Sequence, residues 1–261
     1  MVRDFSKAER IVVKVGTSSL TGRNSKLDPL KVKKIVKEVM SLRRKGKEVL
    51  LVTSGAIGAG VGRLGMKERP KELPMLQAAA AVGQGILMRV YERYFGKHGQ
   101  PIAQLLLTKE DFVHPERSRN LKNTLRSLRS WGVVPVVNEN DSVAVEEIKF
   151  GDNDLLSAHL AILSGADLLV LLSDVNGLYT GDPKREKGVR LLHEVREFTP
   201  QLERLAGGKG FGGMRTKLQA AKLACSAGIP VVVARAGEKN VLERLLKGEE
   251  VGTLFLPEVR K

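Results

Sequence analysis

The sequence predicts an α/β fold in which a largely parallel sheet is covered by helices on both faces. Two observations carry this. Short runs of Val, Ile and Leu, such as RIVVKV, EVLLV and ADLLVLL, are apolar without alternation, as strands buried on both faces are. Longer amphipathic stretches separate them, so strand and helix alternate along the chain. The 261 residues show no internal repeat, low-complexity tract or linker and suit one domain.

The elements follow in order. RIVVKVGTSSL is a strand running into a polar, glycine-containing loop. LDPLKVKKIVKEVMSLRRKG is a helix: Asp28 caps it, Pro29 suits its first turn and Gly46 ends it. Val32, Ile35, Val36 and Val39 share its apolar face. EVLLVTSGAIGAG is a buried strand opening into a small-residue loop, and LPMLQAAAAVGQGILMRVYERYFGKHG is a long helix. PIAQLLLT and GVVPVVNEND are strands around the helix RSRNLKNTLRSLRSWG. ADLLVLLSDVNGLYTGDP is a strand ending in turn residues. MRTKLQAAKLACSAG is a helix, and IPVVVARA is the last core strand.

Composition narrows the function. The formal charge of +15 fits either nucleic-acid binding or a charged surface with a small anionic substrate. Basic stretches such as KVKKIVKEVMSLRRKGKE interleave Glu on an amphipathic helix, which marks a solvated face. Aromatic residues make up only 4%, so platforms for stacking bases are scarce. The small anion is therefore favoured. The start, MVRDFSKAER, lacks an apolar signal core, and no run approaches the roughly 18 apolar residues of a membrane span. A soluble, cytoplasmic protein without a membrane partner is expected. The single cysteine, Cys225, excludes an internal disulfide and a multi-cysteine metal site, and reads as a small core residue.

In parallel sheets ligands bind beyond the carboxyl ends of the strands. Five such exits carry unusual residues. In VVKVGTSS, Lys14 interrupts an apolar strand. An unpaired buried ammonium is costly, so Lys14 either reaches an anion or snorkels from the strand end. Gly16 and the hydroxyls of Thr17, Ser18 and Ser19 could cradle a phosphate, although the pattern GxxxxGK[ST] does not occur. In VTSGAIGAG, Ser54 and Gly55 break the strand, and the small residues allow close approach of a ligand or a tight strand-to-helix connection. In VVNENDSVAVEEIKFGDND, Asn138, Glu139, Asn140 and Asp141 leave the strand together, and Asp152, Asn153 and Asp154 follow before an apolar helical run. One helix cap needs only one of those three. In LLSDVNGLYTGDP, Ser173 and Asp174 close a strand, and this exit alone reads as a loop. In AGGKGFGGMRTKLQ, a glycine-rich loop enters a helix with Lys217 in its first turns, a favourable place for phosphate.

Two lysines, glycine-rich loops and a carboxylate cluster on one sheet edge suit phosphoryl transfer, which needs positioning and charge neutralisation rather than covalent chemistry. None of the four histidines, His98, His114, His159 and His193, lies at these exits. A hydroxyl acceptor often needs a general base, whereas a carboxylate with a pKa of about 4.3 is already ionised. The acceptor is therefore expected to be a carboxylate, with an Asp serving as base as the alternative.

The segments VVKVGTSSL, VTSGAIGAG, VVNENDSVAVEEIKFGDNDLLSA, LLSDVNGLYTGDP, GGMRTKLQAA and GTLF resemble the glutamate 5-kinases of the amino-acid kinase superfamily, from about Arg10 to Phe255. NEND…GDND and GGMRTK are specific to those enzymes. Acetylglutamate kinase, aspartokinase and uridylate kinase share the lysine–glycine start but not these two motifs. The resemblance implies a three-layer αβα sandwich with a central, mainly parallel sheet, the carbamate-kinase-like fold. It implies one kinase domain over residues 1–261, with an acceptor-binding part about 1–165 and a nucleotide-binding part about 166–261. Transfer of the ATP γ-phosphate to the γ-carboxylate of L-glutamate with Mg2+, the first step of proline biosynthesis, is the activity implied. Lys14 and Lys217 would hold the transferring phosphate and Asp154 would orient them. Ser54, Gly55, Asn138, Asp141, Asp152 and Asn153 would surround the amino acid. Lys14, Gly16, Ser173, Asp174 and the run Phe211, Gly212, Gly213, Met214, Arg215, Thr216 and Lys217 would contact ATP. Proline as feedback inhibitor, a homo-oligomer and a glutamate-5-semialdehyde dehydrogenase partner also follow from the resemblance. The sequence departs from the family in three places. No C-terminal PUA domain is expected after GTLFLPEV, Ser173 stands where Thr is usual, and Phe211 replaces a small polar residue. The alternatives are a kinase of the same fold acting on acetylglutamate or aspartate, and a basic RNA-binding protein.

Overall fold

The computed structural model describes residues 3–22, 25–144, 153–182, 186–207 and 213–257. Asp152, Phe211 and Gly212 of the expected site lie outside the described residues.

The apolar runs form an eight-stranded sheet in the order β3-β4-β2-β1-β5-β7-β8-β6. Its strands are β1 (Arg10–Val15), β2 (Glu48–Val52), β3 (Ile102–Leu107), β4 (Val134–Glu139), β5 (Leu168–Ser173), β6 (Glu194–Val195), β7 (Val231–Arg235) and β8 (Thr253–Phe255). All pairs are parallel except β7 with β8. The helices are α1 (Pro29–Arg43), α2 (Ala56–Arg63), α3 (Leu73–Gly96), α4 (Glu110–Val113), α5 (Pro115–Ser130), α6 (Asp154–Ser164), α7 (Pro200–Gly207), α8 (Met214–Ser226) and α9 (Val241–Leu246). Among the described residues, no helix is long and apolar enough to cross a membrane.

Side chains alternate across a strand, and this sorts the central strand between two cores. Ile11, Val13 and Val15 join the core that holds Val32, Ile35 and Val39 of α1 and Leu87 and Tyr91 of α3. Val12 joins the opposite core, with Ala158 and Ala161 of α6 and Leu218 and Ala221 of α8. Layers therefore cover both faces, as the unbroken apolar strands require. Parity also places Lys14 on the face of Val12, toward α6 and α8. Cys225 is buried in that core.

The signals read at the ends of α1 operate as expected. Asp28 Oδ1 accepts from the Leu30 amide at 2.9 Å, and Gly46 takes φ +78° beyond the last turn.

Two segments depart from the sequence reading. The run after Ser54 is helix α2, entered through Gly55 at φ +102°. A Cβ added at Gly60 would come within 1.8 Å of the Ala79 carbonyl oxygen, and one at Gly83 within 1.9 Å of the Ala56 oxygen. The small residues let α2 and α3 touch backbone to backbone, and tertiary contact overrides their poor helix propensity. IPVVVARA is also not the last strand. The chain turns back through α9 into β8, antiparallel to β7, with β6 beyond it. Strands of two and three residues are too short to show a period.

Candidate active site

β1 is paired on both sides, with Lys14 opposite Val52 of β2 and Leu171 of β5. Its side chain is therefore fully enclosed at the carboxyl end of the sheet. The Asp154 carboxylate, from the first turn of α6, lies between two ammonium groups. Lys14 Nζ is 2.7 Å from Oδ1, and Lys217 Nζ, from the first turn of α8, is 3.1 Å from Oδ2. Thr216 Oγ1 donates to Oδ2 at 2.9 Å, and Lys217 Nζ also donates to the Gly213 carbonyl at 3.3 Å. Gly213 begins α8 at φ +83°.

Burial pushes the Asp154 carboxyl up, but Lys14 and Lys217 together outweigh it and hold it below the ordinary carboxylate range. The three groups carry one positive charge in excess, and the N-terminus of α8 adds partial positive charge beside it. Such a centre is suited to attract an anion. Gly16 lies beside this centre: an added Cβ would stand 3.6 Å from Lys14 Nζ, in ordinary contact.

A polar cluster adjoins this centre. Asn153 sits at the N-cap of α6 yet makes no side-chain cap bond. Its Nδ2 instead donates to the Thr53 carbonyl at 2.8 Å and to Asn138 Oδ1 at 2.8 Å, with Ser54 Oγ at 3.5 Å. Asn138 Nδ2 donates to Gln84 Oε1 at 2.9 Å, and Thr53 Oγ1 meets the Tyr91 hydroxyl at 2.8 Å. Thr53, Ser54, Asn138, Glu139, Asp141 and Asn153 are all buried, an unusual density of polar groups. Gly55 turns the chain directly below them.

Besides Lys14 and Gly16 at the end of β1, the described residues expected to touch ATP fall into two groups. Gly213, Met214, Arg215, Thr216 and Lys217 form the start of α8. Ser173 and Asp174 end β5, where Ser173 Oγ donates to Asp174 Oδ1 at 3.2 Å. A cavity of about 190 Å³ beside them is lined by Ser19, Lys31, Lys34 and Arg235 among others.

The structure thus brings together Lys14, Asp154 and Lys217, and separately Ser54, Asn138 and Asn153, while Asp141 is buried just past the end of β4. Sequence reasoning missed Thr53, Gln84 and Tyr91. The available signal for Gln84 was an amide between two glycines in the small-residue stretch AAAAVGQGIL.

Residues 9–235 match the amino acid kinase family. Over 252 residues the chain is 52% identical to the glutamate 5-kinase of Caldanaerobacter subterraneus subsp. tengcongensis, covering 95% of this chain and 68% of that one. It is 47% identical to the glutamate 5-kinase of Clostridium acetobutylicum, covering 97% and 96%. Two solved structures share the fold at low identity. A UMP kinase from Bacillus anthracis superposes with a TM-score of 0.65 at 17% identity, covering 97% of each chain. A carbamate kinase from Giardia lamblia bound to AMP-PNP gives 0.66 at 18%, covering 97% of this chain and all of that one.

Proposed function

Because the chain belongs to the amino acid kinase family and, within it, to the glutamate 5-kinases, we infer that it transfers the γ-phosphate of ATP to the γ-carboxylate of L-glutamate, the first step of proline synthesis. The observation that carries the mechanism is the buried Asp154 carboxylate between the Lys14 and Lys217 ammonium groups. In phosphoryl transfer, charge moves toward the bridging and leaving oxygens as the γ-phosphoryl group departs. Cations fixed beforehand in a dry site stabilise that charge more than they stabilise the ground state. Two lysines close together repel, and Asp154 holds both in place without neutralising both.

In this reading Lys14, Lys217 and Asp154 are the phosphoryl centre. Ser54, Gly55, Asn138, Asp141 and Asn153, with Asp152, form the acceptor pocket. Gly16, Ser173, Asp174 and residues 211–217 contact ATP. Lys14 comes from the acceptor part, about 1–165, and Lys217 from the nucleotide part, about 166–261, so the two substrates meet over Asp154. The acceptor carboxylate is already ionised at neutral pH and needs no base. Magnesium fits as an ion carried on the ATP phosphates, because the described residues gather no group of three carboxylate, His or Cys ligands. When bound, it would neutralise phosphate charge. A cytoplasmic location, a homo-oligomer, feedback inhibition by proline and handover of the acyl phosphate to a glutamate-5-semialdehyde dehydrogenase rest on the family membership.

The test is direct. The protein is incubated with ATP, Mg2+, hydroxylamine and one acceptor at a time. Hydroxylamine traps an acyl phosphate as a hydroxamate, and glutamate is the acceptor expected to give it. A hydroxamate from acetylglutamate or aspartate, with none from glutamate, overturns the assignment.

A further inference from the structure

The amides around Asn153 form a chain with a fixed direction. The Thr53 carbonyl can only accept, so the atom Asn153 presents to it at 2.8 Å must be Nδ2. The same nitrogen is 2.8 Å from Asn138, which must therefore present its oxygen there and its Nδ2 at the other end. That Nδ2 is 2.9 Å from Gln84, which must in turn present Oε1. The direction set by one backbone carbonyl thus passes through two amides and leaves Gln84 Nε2 as the end of the chain. Among the described residues, this nitrogen is buried and has no hydrogen-bond partner. A buried donor without an acceptor is costly, and native proteins retain few of them.

Packing holds Gln84 where it is. The preceding Gly83 lies flush on the first turns of α2, where an added Cβ would meet Ala56 O at 1.9 Å and Gly60 N at 2.4 Å. α2 itself starts directly after Ser54 and Gly55. The order Asp154, Asn153, Asn138, Gln84 runs from the phosphoryl centre to the far end of the polar cluster.

We propose that Gln84 is a specificity-determining residue of the acceptor site, its Nε2 donating to the α-carboxylate of bound L-glutamate. This rests on the glutamate reading above. The γ-carboxylate must reach the phosphoryl centre, so the anionic group at the opposite end of the substrate is the α-carboxylate. A charge-assisted hydrogen bond satisfies the orphaned donor and rejects acceptors with no carboxylate there.

The test is Q84E, which keeps an oxygen for Asn138 Nδ2 but replaces the donor with an anionic oxygen. At pH 8 the glutamate KM should rise about tenfold to a hundredfold, the size of one lost hydrogen bond to a charged group. The ATP KM and kcat should stay within about threefold, as when binding alone is lost. As the pH is lowered, the Q84E-to-wild-type ratio of glutamate KM should fall, because a protonated carboxyl again has a hydrogen to give. Q84M, of similar length and uncharged, should show a raised glutamate KM that does not recover with pH. A Q84E glutamate KM that is unchanged, or raised by the same factor at every pH, overturns the proposal, as does a parallel rise in both KM values. Wild type giving no product with glutamate would overturn the glutamate reading itself. Wild-type activity with an unaltered Q84E KM would remove only the role of Gln84.

Discussion

Asp154 shows how much one side chain can determine. Its carboxyl is held below the ordinary range by Lys14 and Lys217 against the effect of burial. A carboxyl with a depressed folded-state pKa contributes stability that is complete above its unfolded value, near 4, and lost as the pH falls below it. D154N leaves two buried ammonium groups without their anion and should cost roughly 3–5 kcal/mol at pH 7. That gap between wild type and D154N should stay level above about pH 5 and close below about pH 4. Urea unfolding from pH 7 to pH 2.5 measures it; a gap independent of pH would mean that folding does not shift the Asp154 pKa, and a gap that widens as the pH falls would mean that Asp154 is neutral in the fold. Asp141 is buried at the exit of β4, and the proposed acceptor pocket assigns it to the ammonium of the amino acid. D141A should raise the glutamate KM about tenfold to a hundredfold, the value of one charge-assisted hydrogen bond, with little change for ATP. Equal rises in both KM values would assign Asp141 to the nucleotide or to the fold.

At the level of elements, the crossing of α2 on α3 sets where Ser54, Gly55 and Gln84 stand. G60A places a methyl group 1.8 Å from a backbone oxygen, which cannot swing away as a side chain can. The helices must part, so stability should fall by about 1–3 kcal/mol and Tm by roughly 3–10 °C. G85A is the control. Nothing lies within 4 Å of its Cβ, so it should leave Tm unchanged or raise it. Equal gain in both variants would show that helix propensity, rather than contact, governs this region, and equal loss would contradict the contact account. The same crossing explains what the sequence hid. The core strands were legible as unbroken apolar runs, and helices α1, α3, α5 and α8 because each sustains a period long enough to detect. AIGAGVGR was not, because three glycines in eight residues look like a loop until α3 lies against them. β6 and β8 exist through pairing alone.

For the whole molecule, the fold acts by convergence. Strand parity brings Lys14 to the face of α6 and α8, and the first turns of those helices supply Asp154 and Lys217. Lys14 was legible as a charge inside an apolar strand and Lys217 as a charge in the first turns of a helix after a glycine-rich loop, whereas the place of Asp154 between them was implied only by the family resemblance. Gln84 and the Thr53–Tyr91 pair were not legible, since an amide or hydroxyl on an ordinary helix or strand end acquires a role only from its spatial neighbours. The central claim is that Lys14, Asp154 and Lys217 work as one electrostatic unit. A double-mutant cycle on kcat with K14M, D154N and the combined variant, all with saturating glutamate and ATP, tests it most directly. Each single change should lower kcat, K14M by about a hundred- to a thousandfold as for loss of one preorganised donor. The combined variant should be much less impaired than the product of the two losses, with the D154N glutamate KM nearly unchanged. Losses that multiply, together with a raised glutamate KM in D154N, would show that Asp154 binds the acceptor independently of the lysines and would contradict the account.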